Sequence, residues 1–300
     1  MLAALMAGPF AGAGAQRSAP RPAGLANARM TIDKLGASVS GRVGAAAMLV
    51  ETGDMVMSHG NERFPMQSVY KVPIAMAVLR QVDAEKLKLS QTVHVGKADL
   101  VPRVHSPIRD QNPNGTDLTI RELLRAAVVE SDGTASDILL RLTPPAEVTQ
   151  MLRTLGIDSM TVATTERAMT VDATVQYRNW TTPRAVIQLL KALQQGRGVS
   201  APSRILLLGW MTETTIGDKR IKARLPRGTS VAHKTGLDET RKGLTRATND
   251  AGIVTLPNGR HLAVAVFIKD SRAGEAQRES VIAWIARAAW DAATAPVRRR

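Results

Sequence analysis

Cysteine is missing from all 300 residues, which removes disulfides, thiolate catalysis and cysteine-based metal sites together. The five histidines, His59, His94, His105, His233 and His261, show no ligand spacing. Neither a metal nor any other cofactor is expected. Aromatics reach only 3%, and the basic residues behind a formal charge of +14 are spread along the chain without a nucleic-acid-binding motif. A solvated basic surface is the plainer reading, and no nucleic-acid partner is expected.

Long apolar runs are also lacking. The stretch Met1 to Gln16 ends in Ala13-Gly14-Ala15; it resembles the apolar core and cleavage site of a secretory signal, without the usual basic start, and is too short for a membrane span. Arg17 to about Gly24 is rich in Pro, Arg and Ala and reads as a linker. Export, to the periplasm or medium, of a unit spanning 25–300 is expected.

What remains is well cored, with 44% hydrophobic residues. Periodicity predicts a helix over Leu25 to Leu35, strands over Arg42 to Glu51 and Met55 to His59 around the turn Thr52-Gly53-Asp54, and a helix entered through Ser68. Lys86 to Pro102 reads as mixed and loop-rich. Leu118 to Glu122 opens a helix with Leu123, Leu124, Ala127 and Val128 as its buried stripe. Helical patterns follow over Ala135 to Leu142, Ala146 to Leu155, Pro183 to Gln195 and Ser203 to Met211, whereas Thr161 to Trp180 is non-periodic, as a long functional or disordered loop would be.

From Ser230 the pattern changes to strands, over Ser230 to Thr235, Ala247 to Thr255 and His261 to Ile268, with Pro257-Asn258-Gly259 as a hairpin turn. A last helix, Glu275 to Ala293, turns Val281, Ile282, Ile285, Ala288 and Trp290 toward a sheet. The expected fold is therefore α+β. An antiparallel sheet flanked by terminal helices (25–66 with 216–300) joins an all-helical lobe (67–215), with a site in the groove between them.

Gln67-Ser68-Val69-Tyr70-Lys71 sets a hydroxyl and an amine three positions apart. A serine needs a base to become nucleophilic, and a desolvated lysine can supply one. Ser-x-x-Lys alone is expected about once by chance in a chain this long. Three further stretches give it meaning. Ser131, in Glu130-Ser131-Asp132-Gly133, could pass a proton, although such a sequence is also an ordinary helix cap. His233-Lys234-Thr235-Gly236 offers a cation, a hydroxyl and a glycine for close approach, or simply a strand end. Glu166, in the long loop, could activate a water or be a solvated carboxylate.

Ser-x-x-Lys, Ser-Asp-x, a loop Glu and Lys-Thr-Gly, in that order, resemble the set found in class A β-lactamases and penicillin-binding proteins. The likeness runs from about Arg42 to the C-terminus. It extends to Gln176-Tyr177-Arg178-Asn179-Trp180, Met211-Thr212-Glu213-Thr214-Thr215 and Ala247-Thr248-Asn249-Asp250, which look like the extended-spectrum branch of class A.

The resemblance implies a monomeric serine β-lactamase acting on penicillins or cephalosporins. Ser68 would be acylated, with Lys71 and a Glu166-held water sharing the base role, and Ser131 would protonate the departing nitrogen. Lys234, Thr235 and Arg220 would engage the substrate carboxylate, and the N–H groups of Ser68 and Leu237 would form the oxyanion hole, roughly 3 to 4 kcal/mol per donor. Gly133 stands where the family usually has asparagine, which removes a hydrogen bond to the substrate amide. Thr170 also replaces an asparagine, one that helps hold the deacylating water. Leu237 adds bulk beside Gly236 at the pocket, and His105 is expected at the groove's rim. A penicillin-binding D-Ala-D-Ala peptidase and a non-hydrolysing β-lactam sensor share much of this set; Glu166 argues for the lactamase.

Overall fold

The computed structural model describes residues 24–295; the expected signal segment lies outside them, apart from Gly24. Helix α1 (Gly24–Ala37) precedes strands β1 (Arg42–Leu49) and β2 (Met55–Ser58), then a short β3 (Phe64–Pro65). A 3-10 turn, Gln67–Tyr70, leads into α2 (Lys71–Asp83), so Ser68 sits just ahead of the α-helix and Lys71 opens it.

Near the other end, β8 (Val231–Leu237), β9 (Thr245–Thr255) and β10 (His261–Ser271) precede α10 (Glu275–Thr294). They complete an antiparallel sheet of order β2-β1-β10-β9-β8, in which β8 is an edge. The central β1–β10 register pairs Val43 with Ile268 and Leu49 with Leu262.

Alternation along β10 explains why the sheet is covered on both sides. Leu262, Val264, Val266 and Ile268 join Leu25 and Ile32 of α1 and Val281, Ile282 and Ile285 of α10 in one apolar core. Ala263, Ala265 and Phe267 point the opposite way, into a core shared with the helices between the two ends of the chain. Strands buried on both faces read as unbroken apolar runs, as β1 and β10 do. The last helix departs from expectation at one position: Ala289 is in the core, and Ala288 is half-buried.

Between the strands lie β4 (Thr92–Gly96), α3 (Pro107–Gln111), β5 (Gly115–Thr119), α4 (Ile120–Val129), α5 (Gly133–Leu142), α6 (Pro145–Thr154), β6 (Met160–Thr161), α7 (Glu166–Val171), β7 (Trp180–Thr181), α8 (Pro183–Gln194) and α9 (Ala201–Glu213). The stripe Leu123, Leu124, Ala127 and Val128 is buried, and α4 starts with the reciprocal Thr119–Glu122 capping box.

The expectation of an all-helical lobe needs correction. β4 and β5 form a hairpin, and β6, β7 and β3 form a small sheet. In β4 only Val93 and Val95 are buried, an alternation too short to stand out among the flanking charged residues. The non-periodic stretch from Thr161 is ordered: it holds α7 and a 3-10 turn at Val175–Arg178. Its fixing points are side chains, which periodicity does not report. Asn179 accepts from the N–H groups of Ala163 and Thr164 at 2.8 and 3.0 Å and donates to the Thr164 carbonyl.

Candidate active site

Lys71 is the hub of the site. It is only 2% exposed, and its ammonium donates to the Ser131 carbonyl at 2.6 Å, approaches Ser131 Oγ at 3.5 Å and lies 3.1 Å from Glu166 Oε1. Two separate segments, the Ser131 turn and the start of α7, thus converge on one buried cation. Ser68, three residues back, is half-exposed on the 3-10 turn, where a substrate can reach it.

Ser131 adopts a left-handed backbone, φ 59°, uncommon for a residue with a side chain and tolerated where surroundings hold it. The holding groups are the two lysines. Its carbonyl accepts from Lys71, and its hydroxyl accepts from Lys234 Nζ at 2.9 Å. Capping of α5 falls to Asp132, which accepts from Ala135 N–H at 2.8 Å and also from Ser106 Oγ and Ile108 N–H. The hydroxyl of Ser131 is left to the lysines. Burial, and then the Lys71 charge, hold the Lys234 ammonium well below the ordinary lysine pKa, with Asp250 and Glu166 opposing.

Glu166 is the first residue of α7 and is nearly buried. Its own N–H and that of Arg167 both donate to Asp137, at 2.7 and 2.9 Å, so a carboxylate on α5 fixes the start of α7. Burial outweighs these two bonds and raises Asp137 from 3.8 to about 6, with the Glu166 charge acting in the same upward direction. Thr170 lies one turn on, but its hydroxyl donates to the Arg167 carbonyl at 2.8 Å.

The opposite wall is β8. Its hydrogen-bonded pairs with β9 fall at alternate residues, as Thr255 N–H to Ser230 and Asp238 N–H to Ala247 mark. Leu237, opposite Thr248, is a non-hydrogen-bonded position, and its N–H points off the open edge of the sheet. Gly236 lets this strand approach the serine turn: a Cβ there would lie 2.5 Å from the Met66 carbonyl and 3.0 Å from Gln67 Cβ. Thr235 is buried on the same strand, and Leu237 is 44% exposed at its end.

Arg220 is also buried and lies behind this wall. It donates to Glu279 Oε1 at 3.2 Å and to the carbonyls of Gly236 and Asn249 at 3.4 and 3.0 Å. His105 keeps an exposed ring, while its carbonyl accepts from Gly133 N–H at 2.9 Å. Gly133 carries no side chain into the groove.

Two groups of site residues escaped the sequence reading. Asp137 stands out only as an acid six residues beyond Ser131 within an apolar helix. Gln67, Gln176 and Asp238 form a strap across the groove's rim, with Gln67 donating to Gln176 at 2.7 Å and Gln176 to Asp238 at 3.0 Å. Gln67 also has φ 45°, a side-chain-bearing residue in the glycine-favoured region.

A partly exposed serine, a buried lysine shared by a second serine and a loop glutamate, and an edge-strand N–H across the groove define a serine hydrolase of the acyl-transfer type. A profile of the β-lactamase enzyme family matches residues 27–293. The chain is 42% identical to the extended-spectrum β-lactamase PER-1 of Pseudomonas aeruginosa over 76% of its own length and 75% of the relative's. Against β-lactamase VEB-1 of the same organism, identity is 36% over 88% and 90%. The crystal structure of a β-lactamase from Chitinophaga pinensis superposes with a TM-score of 0.87 at 49% identity, covering 89% of this chain and all of that one. The chain belongs to the β-lactamase enzyme family, among the class A serine enzymes.

Proposed function

We propose that this β-lactamase opens the lactam amide of penicillins and cephalosporins through an ester on Ser68. The observation that carries the reading is the convergence of Ser131 and Glu166 on the Lys71 ammonium. In the proposed cycle Ser68 Oγ attacks the lactam carbonyl and gives its proton through a water to Glu166, or to Lys71 once that ammonium has passed a proton to Glu166 Oε1, 3.1 Å away. The negative charge that develops on the carbonyl oxygen is met by the N–H groups of Ser68 and Leu237. The C–N bond then breaks, and Ser131 protonates the nitrogen and is reprotonated through Lys71, 3.5 Å from its hydroxyl, with the proton that came from Ser68, which leaves Glu166 ionised again.

Deacylation reverses the roles. Glu166 takes a proton from water, the water oxygen attacks the ester carbonyl, and Ser68 leaves with a proton from Lys71, which Glu166 then restores across their 3.1 Å contact. Lys234 and Thr235, with Arg220 adding positive charge from behind the strand, favour an anionic substrate group at the end of β8. Leu237 and His105 border that position, Gly133 offers only backbone, and Thr170 supplies no amide near Glu166.

The unit that works is taken as residues 25–300 in its two lobes, as a monomer. Residues 1–24 act as the export signal and linker, so that the enzyme reaches its substrates in the periplasm or medium. Among the described residues no helix is long and apolar enough to cross a membrane.

One experiment tests the cycle. Purified protein is mixed with a chromogenic cephalosporin, and colour and intact mass are followed together. Many turnovers with a transient adduct at Ser68 support it. A persistent adduct without turnover would instead fit the penicillin-binding peptidase or sensor reading, and loss of Ser68 without loss of turnover would remove the ester.

A further inference from the structure

Tyr70 is one of only two tyrosines in the chain, and it lies between the nucleophile and the lysine of the serine turn. It is completely buried. Its hydroxyl is a buried polar atom without a well-aligned hydrogen bond, even though Glu166 lies within its reach; Glu166 Oε1, also without an aligned donor, faces the Lys71 ammonium at 3.1 Å. Burial, followed by the Glu166 and Asp137 charges, raises the phenol pKa well above 10, so Tyr70 stays protonated and can only donate toward a carboxylate. Thr170 does not compete for this duty, because its hydroxyl is spent on Arg167.

Resting on the proposal that Glu166 is the base for deacylation, we propose that Tyr70 is a positioning residue for it: the phenol donates to the Glu166 carboxylate, fixes its orientation and stabilises its ionised form. A small rotation of the carboxylate completes the bond and satisfies the Tyr70 hydroxyl while Lys71 stays beside Glu166. A donor to the charged form lowers a carboxylate's pKa. The other charged groups around Glu166 are Lys71 at 3.1 Å, Lys234 and Asp137. Tyr70 is thus the neutral donor in a site otherwise governed by two cations and one acid.

Tyr70→Phe removes the donor and keeps the ring. The acid limb of the deacylation rate, measured by stopped-flow decay of a chromogenic cephalosporin acyl-enzyme, should move up by about one pH unit, with the melting temperature unchanged. On that limb the rate falls about tenfold. An unmoved limb overturns the inference, whether or not the melting temperature falls; a fall alone would give the hydroxyl a packing role. Glu166→Ala is run beside it. If that variant traps the acyl-enzyme while Tyr70→Phe leaves the limb in place, only the role of Tyr70 fails. If Glu166→Ala turns over as the wild type does, the base assignment fails and takes this inference with it.

Discussion

The side chain of Val104 stands where a side chain on residue 133 would begin. A Cβ on Gly133 would lie 2.5 Å from Val104 Cγ2 and 3.2 Å from Val104 Cβ. Gly133 cannot drift away, because its N–H is bonded to the His105 carbonyl and it opens a helix whose cap, Asp132, is fully buried. The glycine and the valine therefore form a matched pair.

Gly133→Asn alone should cost roughly 1 to 3 kcal/mol of stability by overpacking. Val104→Ala combined with Gly133→Asn should recover most of it. Urea denaturation of both single variants and the double variant supplies the coupling energy. A Gly133→Asn protein as stable as the wild type would show that Val104 yields freely.

Asp137 gives stability a distinctive pH dependence. Its native pKa of about 6 lies above the ordinary 3.8, so between these values the folded protein holds a proton that the unfolded chain has released. Stability attributable to this group therefore rises as pH falls from about 7 to 4, by at most about 3 kcal/mol. Asp137→Asn, which has no carboxyl to titrate, should lack this component. The measurement is the difference between wild-type and variant unfolding free energies at pH 7, 6, 5 and 4. A difference constant across the window would refute the assignment.

Gly236→Ala tests the approach of β8 to the serine turn. The new methyl meets the Met66 carbonyl and Gln67 Cβ, so the strand end carrying the Leu237 N–H must move outward. A displacement near 1 Å at such a site costs about a hundredfold in rate. The loss should fall on acylation, read as kcat/KM, because the proposed oxyanion donors act there first. Unchanged kcat/KM would mean that the strand and the turn adjust together.

How far the sequence could be read depended on whether a feature is local. Ser68 and Lys71, or Lys234, Thr235 and Gly236, are neighbours in the chain, and their order with Ser131 and Glu166 carried the family. The unbroken apolar run of β10 and the Thr119–Glu122 box were equally legible, because each lies within a few consecutive residues. Asp137 was not, since its partners are N–H groups about 30 residues away. Arg220 shows a third case. Its presence was expected beside the substrate carboxylate, but its burial behind β8 and its bond to Glu279 depend on where α10 docks. The β4–β5 hairpin was lost because its two strands are each five residues long and far apart in sequence.

The strap from Gln67 through Gln176 to Asp238 joins residues 109 and 62 positions apart, and it tethers the loop bearing Glu166 to both the serine turn and the end of β8. Gln176 is almost wholly buried and also donates to the Ala173 carbonyl at 2.7 Å. Gln176→Ala would leave the Gln67 amide without this acceptor and the Asp238 carboxylate without this donor, at roughly 1 to 3 kcal/mol. The cost should appear locally, because the stretch from 163 to 179 is held by side-chain bonds more than by a continuous ladder. Hydrogen exchange over that stretch should quicken in Gln176→Ala while protection in β10 stays as it was. Asp238→Asn, which keeps an acceptor but loses the charge, should fall between that variant and the wild type. Exchange rates equal in all three proteins would show that Asn179 and Asp137 hold the loop without the strap.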